Sequence, residues 1–134
     1  MKREDKLLVI RDLKMRMGFP IIVSTFLGDA RVIGVDGEDN FRLQSLTGNF
    51  IDEVGDDWFT VNSFEPYYRP LESMTKEEFR ELREIDSYYG LAPFNLISDW
   101  GPNCKTLEWL NEKGFDYRGL IKKGLARKAK PGMY

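Results

Sequence analysis

Clusters of acidic side chains are the first place in this chain to look for chemistry. Residues 36–40 and 52–57 each gather several carboxylates, and oxygen ligands of this kind hold Ca²⁺ or Mg²⁺ in proteins. Neither cluster has the spacing of a helix–loop–helix calcium site, and both contain glycine between apolar stretches, which favours a turn. We therefore predict no metal ion and no cofactor.

The chain contains no histidine, which is the strongest restriction on its chemistry. It therefore has no Ser–His or Cys–His nucleophile pair, no imidazole acid–base catalyst and no histidine ligand for zinc or iron. Asp12 and Lys14 have the carboxylate–x–lysine spacing of some nucleases, but they lie on a predicted helix without an acidic partner on a strand. Glycine-rich phosphate-binding loops are also absent from the sequence. We expect a protein that is not an enzyme.

The first half of the chain has the pattern of one helix followed by short strands. Residues 4–17 form an amphipathic helix with Val9 and Leu13 on its apolar face and Arg16 among its charged, outward residues. β-Branched and aromatic residues then concentrate at 19–26, 30–35, 40–46, 50–54 and 58–64, separated by hairpin-length turns. Such a meander of short strands commonly closes into a small barrel, because closure removes exposed strand edges.

Side-chain alternation indicates which residues of these strands share a face. Phe41 and Leu43 are predicted on one face, with Arg42 and Gln44 on the other. The last stretch, 58–64, has aromatic residues on both faces, so the pattern leaves its buried face open.

A proline-rich joint at residues 65–75 separates the strands from a helical second half. Pro66 and Pro70 favour a stiff, non-helical connection. Thr75 and Glu78 then form a capping box that begins a helix over residues 76–89. Two more short helices are predicted before Gly114 and Gly124, each ended by a Schellman turn.

Together these patterns predict a single α+β domain spanning residues 1–134. It has an N-terminal helix, a five-stranded antiparallel barrel-like (SH3-like) sheet, and three short helices packed on that sheet around one shared hydrophobic interior. Residues 1–64 form the helix and the meander, 65–75 the joint, and 76–134 the helical part with a basic tail.

Charge is distributed unevenly along the chain. The net charge is −2, but residues 28–57 are strongly acidic whereas residues 116–134 are basic. The charged N-terminal segment is unlike a signal peptide, and no uncharged stretch approaches the about 20 residues of a membrane span. Cys104 is the only cysteine, which excludes an internal disulfide and fits a reducing compartment. We expect a cytoplasmic protein that does not enter a membrane.

Two binding hypotheses follow from the aromatic and basic residues. A protein partner would be bound by the joint and the uncharged segment after it, through Tyr67, Tyr68, Arg69, Leu91 and Phe94, because tyrosine and arginine are enriched at interface centres. Alternatively, nucleic acid would be bound by the basic C-terminal segment, through phosphate contacts and stacking on an aromatic ring. The residues of that alternative are Tyr117, Arg118, Lys122, Lys123, Arg127 and Lys128.

Two blocks of the sequence resemble those of a known group of proteins. Residues 66–75, PYYRPLESMT, and residues 109–126, WLNEKGFDYRGLIKKGLA, are similar to blocks in an uncharacterised family of small proteins from gut anaerobic bacteria and their phages. The ending PGMY at residues 131–134 also resembles that of the group. The resemblance implies a phage or mobile-element setting and no particular activity. We therefore expect a non-enzymatic accessory protein that binds a partner protein.

Overall fold

The computed structural model describes residues 1–85 and 104–134. Its helices are α1 (Arg3–Met15), α2 (Phe50–Val54), α3 (Lys76–Ile85) and α4 (Cys104–Glu112), and short 310 helices cover Val61–Ser63 and Leu71–Ser73. Its strands are β1 (Ile22–Thr25), β2 (Gly28–Val35), β3 (Phe41–Ser45), β4 (Trp58–Phe59), β5 (Phe64–Tyr68) and β6 (Arg127–Lys128). No helix among the described residues is long and apolar enough to cross a membrane.

The strands form one open, mixed sheet of six strands in the order β4-β3-β2-β1-β5-β6. All neighbouring strands are antiparallel except β6, which runs parallel to β5. The predicted α+β class and N-terminal helix are confirmed, but the five-stranded antiparallel barrel is only partly matched. The edge strands β4 and β6 have two residues each and lie at opposite ends of the sheet, so no strand pairing among the described residues closes it.

The predicted strand at residues 50–54 is wrong, because this segment is the helix α2. The Asn49 side chain accepts hydrogen bonds from the N–H groups of Ile51 and Asp52 at 2.9 and 3.2 Å, which begins the helix. Gly55, with φ of +80°, ends it in the left-handed conformation. These two caps favour a helix, although the β-branched residues of this segment favour a strand.

The last predicted strand and the joint are also divided differently. The stretch 58–64 contains β4, a 310 helix and only the first residue of β5. The predicted stiff joint supplies most of β5, with Pro66 paired with Val23 of β1. On the other side of β5, strand β6 pairs only with Tyr67 and Tyr68. The missing N–H of Pro66 therefore costs no hydrogen bond to β6.

The predicted sheet faces are confirmed for β3. Phe41 and Leu43 are buried on the inner face, whereas Arg42 and Gln44 are exposed. The structure also decides the face that the sequence left open, since Phe59 points inward and Trp58 is exposed on the outer face.

The capping box at the start of α3 is confirmed. The Glu78 N–H donates to the Thr75 hydroxyl at 3.1 Å, and the Thr75 N–H donates to the Glu78 carboxylate at 3.0 Å. Arg69 donates hydrogen bonds from Nη1 and Nη2 to the two oxygens of the same carboxylate at 2.7 and 2.6 Å. The part of the predicted helix beyond Ile85 lies outside the described residues.

Replacing Glu78 with glutamine should therefore make stability depend less on pH. Hydrogen bonding from Arg69 lowers the pKa of the Glu78 carboxyl from 4.5 to about 2. The ionised carboxylate thus contributes stability that is complete above pH 4.5 and is lost as the pH falls from there towards 2. In urea unfolding, Glu78→Gln should cost about 2 kcal/mol at neutral pH and almost nothing near pH 2. A cost that does not change with pH would contradict this account.

Glycine ends α4 as predicted. The N–H groups of Phe115 and Gly114 donate to the carbonyls of Leu110 and Asn111 at 3.0 and 3.1 Å, the pattern of a Schellman turn. The same bonds recur at Gly124, where Leu125 donates to Leu120 and Gly124 to Ile121.

The helix predicted before Gly124 is nevertheless absent, and turns occupy residues 117–124. Asp116 accepts from the N–H groups of Leu120 and Ile121, four and five residues ahead, at 2.9 Å each. A helix cap reaches only two or three residues ahead, so Asp116 stabilises a wider loop instead. Of the three helices predicted after the joint, the described residues contain α3 and α4.

The buried apolar side chains form two clusters where the sequence predicted one interior. The larger cluster lies between α1 and the inner face of the sheet and includes Val9, Leu13, Phe41 and Leu43. The smaller one joins α3 to α4 and includes Leu82, Trp109, Leu110, Phe115 and Tyr117. Within it the rings of Trp109 and Phe115 stack with centroids 5.7 Å apart.

Candidate functional site

The two faces of the sheet differ in what covers them. The inner face is buried under α1. The Tyr134 hydroxyl bridges the backbones of β1 and β5, because it accepts from the Ile22 N–H at 3.1 Å and donates to the Tyr67 carbonyl at 2.7 Å. The outward side chains of β2, β3 and β4 are left exposed.

These exposed side chains define a surface that we call the outer patch. Its members are Ile33, Arg42, Gln44, Ile51 and Trp58. Strand pairing places Gly34, Arg42 and Trp58 in one row across three strands. A Cβ atom on Gly34 would lie 4.0 Å from the Trp58 ring and 3.5 Å from the Arg42 Cβ, so the indole extends across β3 towards β2.

A groove of about 300 Å³ lies within the outer patch, between β3 and α2. Its lining includes Ile33, Arg42, Gln44, Asn49, Ile51 and Asp57. The Arg42 Nε donates to the Asp57 carboxylate at 2.8 Å, which fixes the arginine beside the exposed indole. A groove of this size is at the lower end of ligand pockets and suits one bulky side chain of a partner.

The structure places two described members of the predicted partner surface, Tyr67 and Tyr68, inside the protein and leaves Arg69 partly exposed. Tyr67 and Tyr68 are only 4% and 1% exposed. The Tyr67 hydroxyl donates to Asp29 at 3.0 Å under the Lys130 ammonium, and Arg69 lies over the Phe115 ring, 4.2 Å from its centroid. These three side chains hold the second half of the chain against the sheet. The other two predicted members, Leu91 and Phe94, lie outside the described residues.

Three of the six residues of the alternative hypothesis have partners within the protein. Tyr117 is buried and donates to Asn111 at 2.6 Å. Arg118 pairs with Asp12 at 2.6 Å, and Arg127 pairs with Glu65 at 3.2 Å. Lys122, Lys123 and Lys128 are exposed. The tail contacts β5 through β6 and through the bond from the Ala129 N–H to the Tyr68 carbonyl at 2.8 Å.

A buried ionic cluster joins the two apolar clusters. Asp12 is fully buried and accepts from the Arg16 Nε at 3.0 Å, the Tyr68 hydroxyl at 2.5 Å and the Arg118 Nη1 at 2.6 Å. The Arg16 guanidinium lies between the rings of Tyr68 and Tyr117, 3.9 and 4.5 Å from their centroids, and donates to the Phe115 carbonyl at 2.7 Å.

Asp12 and its partners have the environment of a structural group rather than a catalytic one. Burial raises the pKa of the Tyr68 phenol well above its usual range, so the hydroxyl stays protonated and donates to Asp12. The three donors occupy a carboxylate that solvent does not reach. Elsewhere in the described part of the chain, no three acidic or cysteine side chains converge to hold a metal ion.

Comparisons with known proteins identify no relative of this chain. The chain matches no protein-family model, no curated protein and no solved structure. The resemblance to proteins of gut anaerobes and their phages therefore stays a prediction.

Sequence reasoning missed both the outer patch and the buried ionic cluster, although each had a signal. Asp12 and Arg16 share the helical stripe of Val9 and Leu13, at a spacing that places all four on one face of α1. For the patch, the face of β3 was predicted correctly, and pairing β4 beside it would have placed Trp58 next to Arg42. Because the sequence predicts a strand at residues 50–54, it gives no sign that Ile51 lies beside the outer face of β3.

Proposed function

We propose that this protein has no catalytic activity and is an accessory protein of phage or mobile-element type that binds a partner protein. The observation that supports this is the exposure of Trp58 beside Arg42 and Ile33 on the uncovered outer face. Tryptophan and arginine dominate the centres of protein interfaces. Strand pairing and the Asp57 contact already order them, so binding would cost little conformational entropy.

Nucleic-acid association is the weaker candidate. Tyr117 is buried, and the guanidinium groups of Arg118 and Arg127 are engaged by carboxylates. The remaining residues of that hypothesis, Lys122, Lys123 and Lys128, are a small number of phosphate contacts compared with a typical nucleic-acid interface.

Photo-crosslinking from the outer patch tests the proposed function. A photoreactive phenylalanine analogue that replaces Ile51 should form a covalent adduct with one protein in host lysate. The Trp58→Ala substitution should weaken the affinity for that protein by about 30-fold, as for an interface hot spot. Leu7 is the matched control position, because it is 53% exposed, against 54% for Ile51, and lies on α1 at the other face. The same adducts from both positions, or an adduct that Trp58→Ala leaves unchanged, would contradict the proposal.

The stability of the variant protein is the necessary control. Trp58 is 39% exposed, so its replacement should leave the melting temperature within a few degrees of the wild type. The loss of binding can then be assigned to the surface and not to unfolding.

A further inference from the structure

Residues 127–134, which we call the strap, contact β5 through a short backbone pairing. Two residues of the strap form β6, which pairs in parallel with Tyr67 and Tyr68. The Ala129 N–H, which follows β6, donates to the Tyr68 carbonyl at 2.8 Å. Strands in proteins usually have three residues or more, so this pairing is a weak attachment.

The basic side chains of the strap contact two carboxylates at the surface. Arg127 pairs with Glu65 at 3.2 Å, and Lys130 pairs with Asp29 at 3.0 Å. Both basic side chains are more than half exposed, and exposed ion pairs contribute little to stability. These contacts therefore favour basic side chains at two positions without holding the strap tightly, and the strap should open more readily than the rest of the fold.

The Tyr134 side chain of the strap fills a slot beside Gly114. A Cβ atom at Gly114 would lie 2.5–2.7 Å from atoms of the tyrosine ring, so only glycine leaves room for the ring. The Tyr134 hydroxyl accepts from the Ile22 N–H and donates to the Tyr67 carbonyl. The slot thus accommodates a flat ring and binds its hydroxyl through two backbone groups.

These two backbone groups belong to residues that face each other across β1 and β5. The register pairs Val23 with Pro66, and it makes Ile22 and Tyr67 the next residues opposite each other. Proline has no N–H, so Val23 and Pro66 cannot exchange two hydrogen bonds, and the hydrogen-bonded position of the antiparallel ladder falls at Ile22 and Tyr67. Without the Tyr134 hydroxyl, the Ile22 N–H could donate directly to the Tyr67 carbonyl. The tyrosine is therefore inserted into the ladder in the way that a ligand would be.

We propose that the edge of β5 is a strand-binding site that the strap occupies in this structure, and that a basic, extended segment of a partner protein replaces the strap there. The strap shows which segment fits. It has basic side chains at Glu65 and Asp29, and a tyrosine four residues after the second basic residue in the slot at Gly114. An added strand binds through its backbone hydrogen bonds, and its side chains provide specificity.

This site is separate from the outer patch. The strap pairs with β5 at one end of the sheet, whereas β3 and β4 of the outer patch lie at the other end. The inference therefore goes beyond the proposed function and does not depend on it.

A fluorescent peptide with the sequence of residues 126–134 tests the site, with anisotropy measured against the full-length chain. In the wild type the tethered strap competes with the peptide at a high effective concentration, so binding should be weak. In the full-length Tyr134→Ala variant the slot is empty, and the peptide should bind about tenfold more tightly. Val54→Ala is the control, because Val54 is exposed on α2 and its replacement should leave the affinity of the wild type unchanged.

Altered peptides separate the slot from the basic side chains. Against the Tyr134→Ala chain, a peptide with Tyr134→Phe should bind about tenfold more weakly, because it lacks the hydroxyl. A peptide with Arg127→Glu and Lys130→Glu should also bind more weakly, and added salt should weaken only the basic peptides. Equal binding of all three peptides, or no binding of the unaltered peptide, would overturn the inference.

A second variant loosens the strap without changing the slot. The full-length double variant Arg127→Gln, Lys130→Gln removes both ion pairs of the strap, so it should bind the unaltered peptide about threefold more tightly than the wild type does. It keeps the test decisive if Tyr134→Ala fails to fold. An affinity equal to that of the wild type would show that the strap is not displaced.

Hydrogen exchange and sedimentation give two further outcomes. The Ile22 amide of Tyr134→Ala should stay protected, because it can then donate directly to the Tyr67 carbonyl. Rapid exchange of this amide would show that the fold needs the tyrosine hydroxyl, which would overturn the inference. A wild-type dimer that Tyr134→Ala abolishes would mean that the strap of a second copy occupies the site, and the assignment to a different partner protein would be wrong.

Discussion

Replacing Asp12 with alanine should destabilise the protein by about 3–5 kcal/mol, the cost of breaking a buried ion pair by removing one partner. Arg16 would remain fully buried with its positive charge uncompensated. The Tyr68 hydroxyl would also lose its acceptor, and Arg118 would lose its bond into the interior. Because the Arg16 guanidinium lies between Tyr68 and Tyr117, both apolar clusters should be disturbed together.

Urea unfolding of Asp12→Ala beside Arg11→Ala measures this effect. Arg11 is the exposed neighbour on the same helix, and its replacement should change the free energy of unfolding by less than about 0.5 kcal/mol. The double variant Asp12→Ala, Arg16→Met should recover part of the loss, because the uncompensated charge is removed. A cost below about 1 kcal/mol for Asp12→Ala would show that the cluster is not the link that we describe.

Signals confined to a few neighbouring residues were read correctly from the sequence. The capping box at Thr75 and Glu78 and the Schellman turns at Gly114 and Gly124 have the predicted hydrogen bonds. Each depends on residues within one turn of the chain, where spacing determines geometry. The buried face of β3 could be predicted equally well, because the alternation of side chains along one strand does not depend on the neighbouring strands.

Features that depend on distant segments could not be predicted in the same way. Residues 127–128 return to pair with the edge of β5 as a sixth strand, although their composition gives no strand signal. Arg16 was predicted among the charged, outward residues of the first helix, because the sequence does not show that Tyr68, Tyr117 and Arg118 approach this helix from distant segments. The candidate site has the same origin, since it is assembled from β2, β3, β4 and α2.

Gly114 illustrates a residue whose local role was predicted while its tertiary role was not. Its φ of +73° suits the end of α4, as the sequence indicated. The structure adds a close approach, because a Cβ atom at Gly114 would lie 2.5–2.7 Å from ring atoms of Tyr134. The Tyr134 hydroxyl in turn accepts from the Ile22 N–H and donates to the Tyr67 carbonyl, so this ring holds the last residues against β1 and β5.

Gly114→Ala should therefore cost about 2–4 kcal/mol, from left-handed strain of about 1–2 kcal/mol and the loss of the two Tyr134 hydrogen bonds. Gly124→Ala is the matched control, because its φ is +75° but nothing lies within 4 Å of its Cβ position, so only the strain should appear. In a Tyr134→Ala background the two alanine substitutions should cost the same, as the ring that Gly114 accommodates is gone. Equal costs in the wild-type background, measured by urea unfolding, would mean that the Tyr134 contact contributes nothing to holding the segment in place.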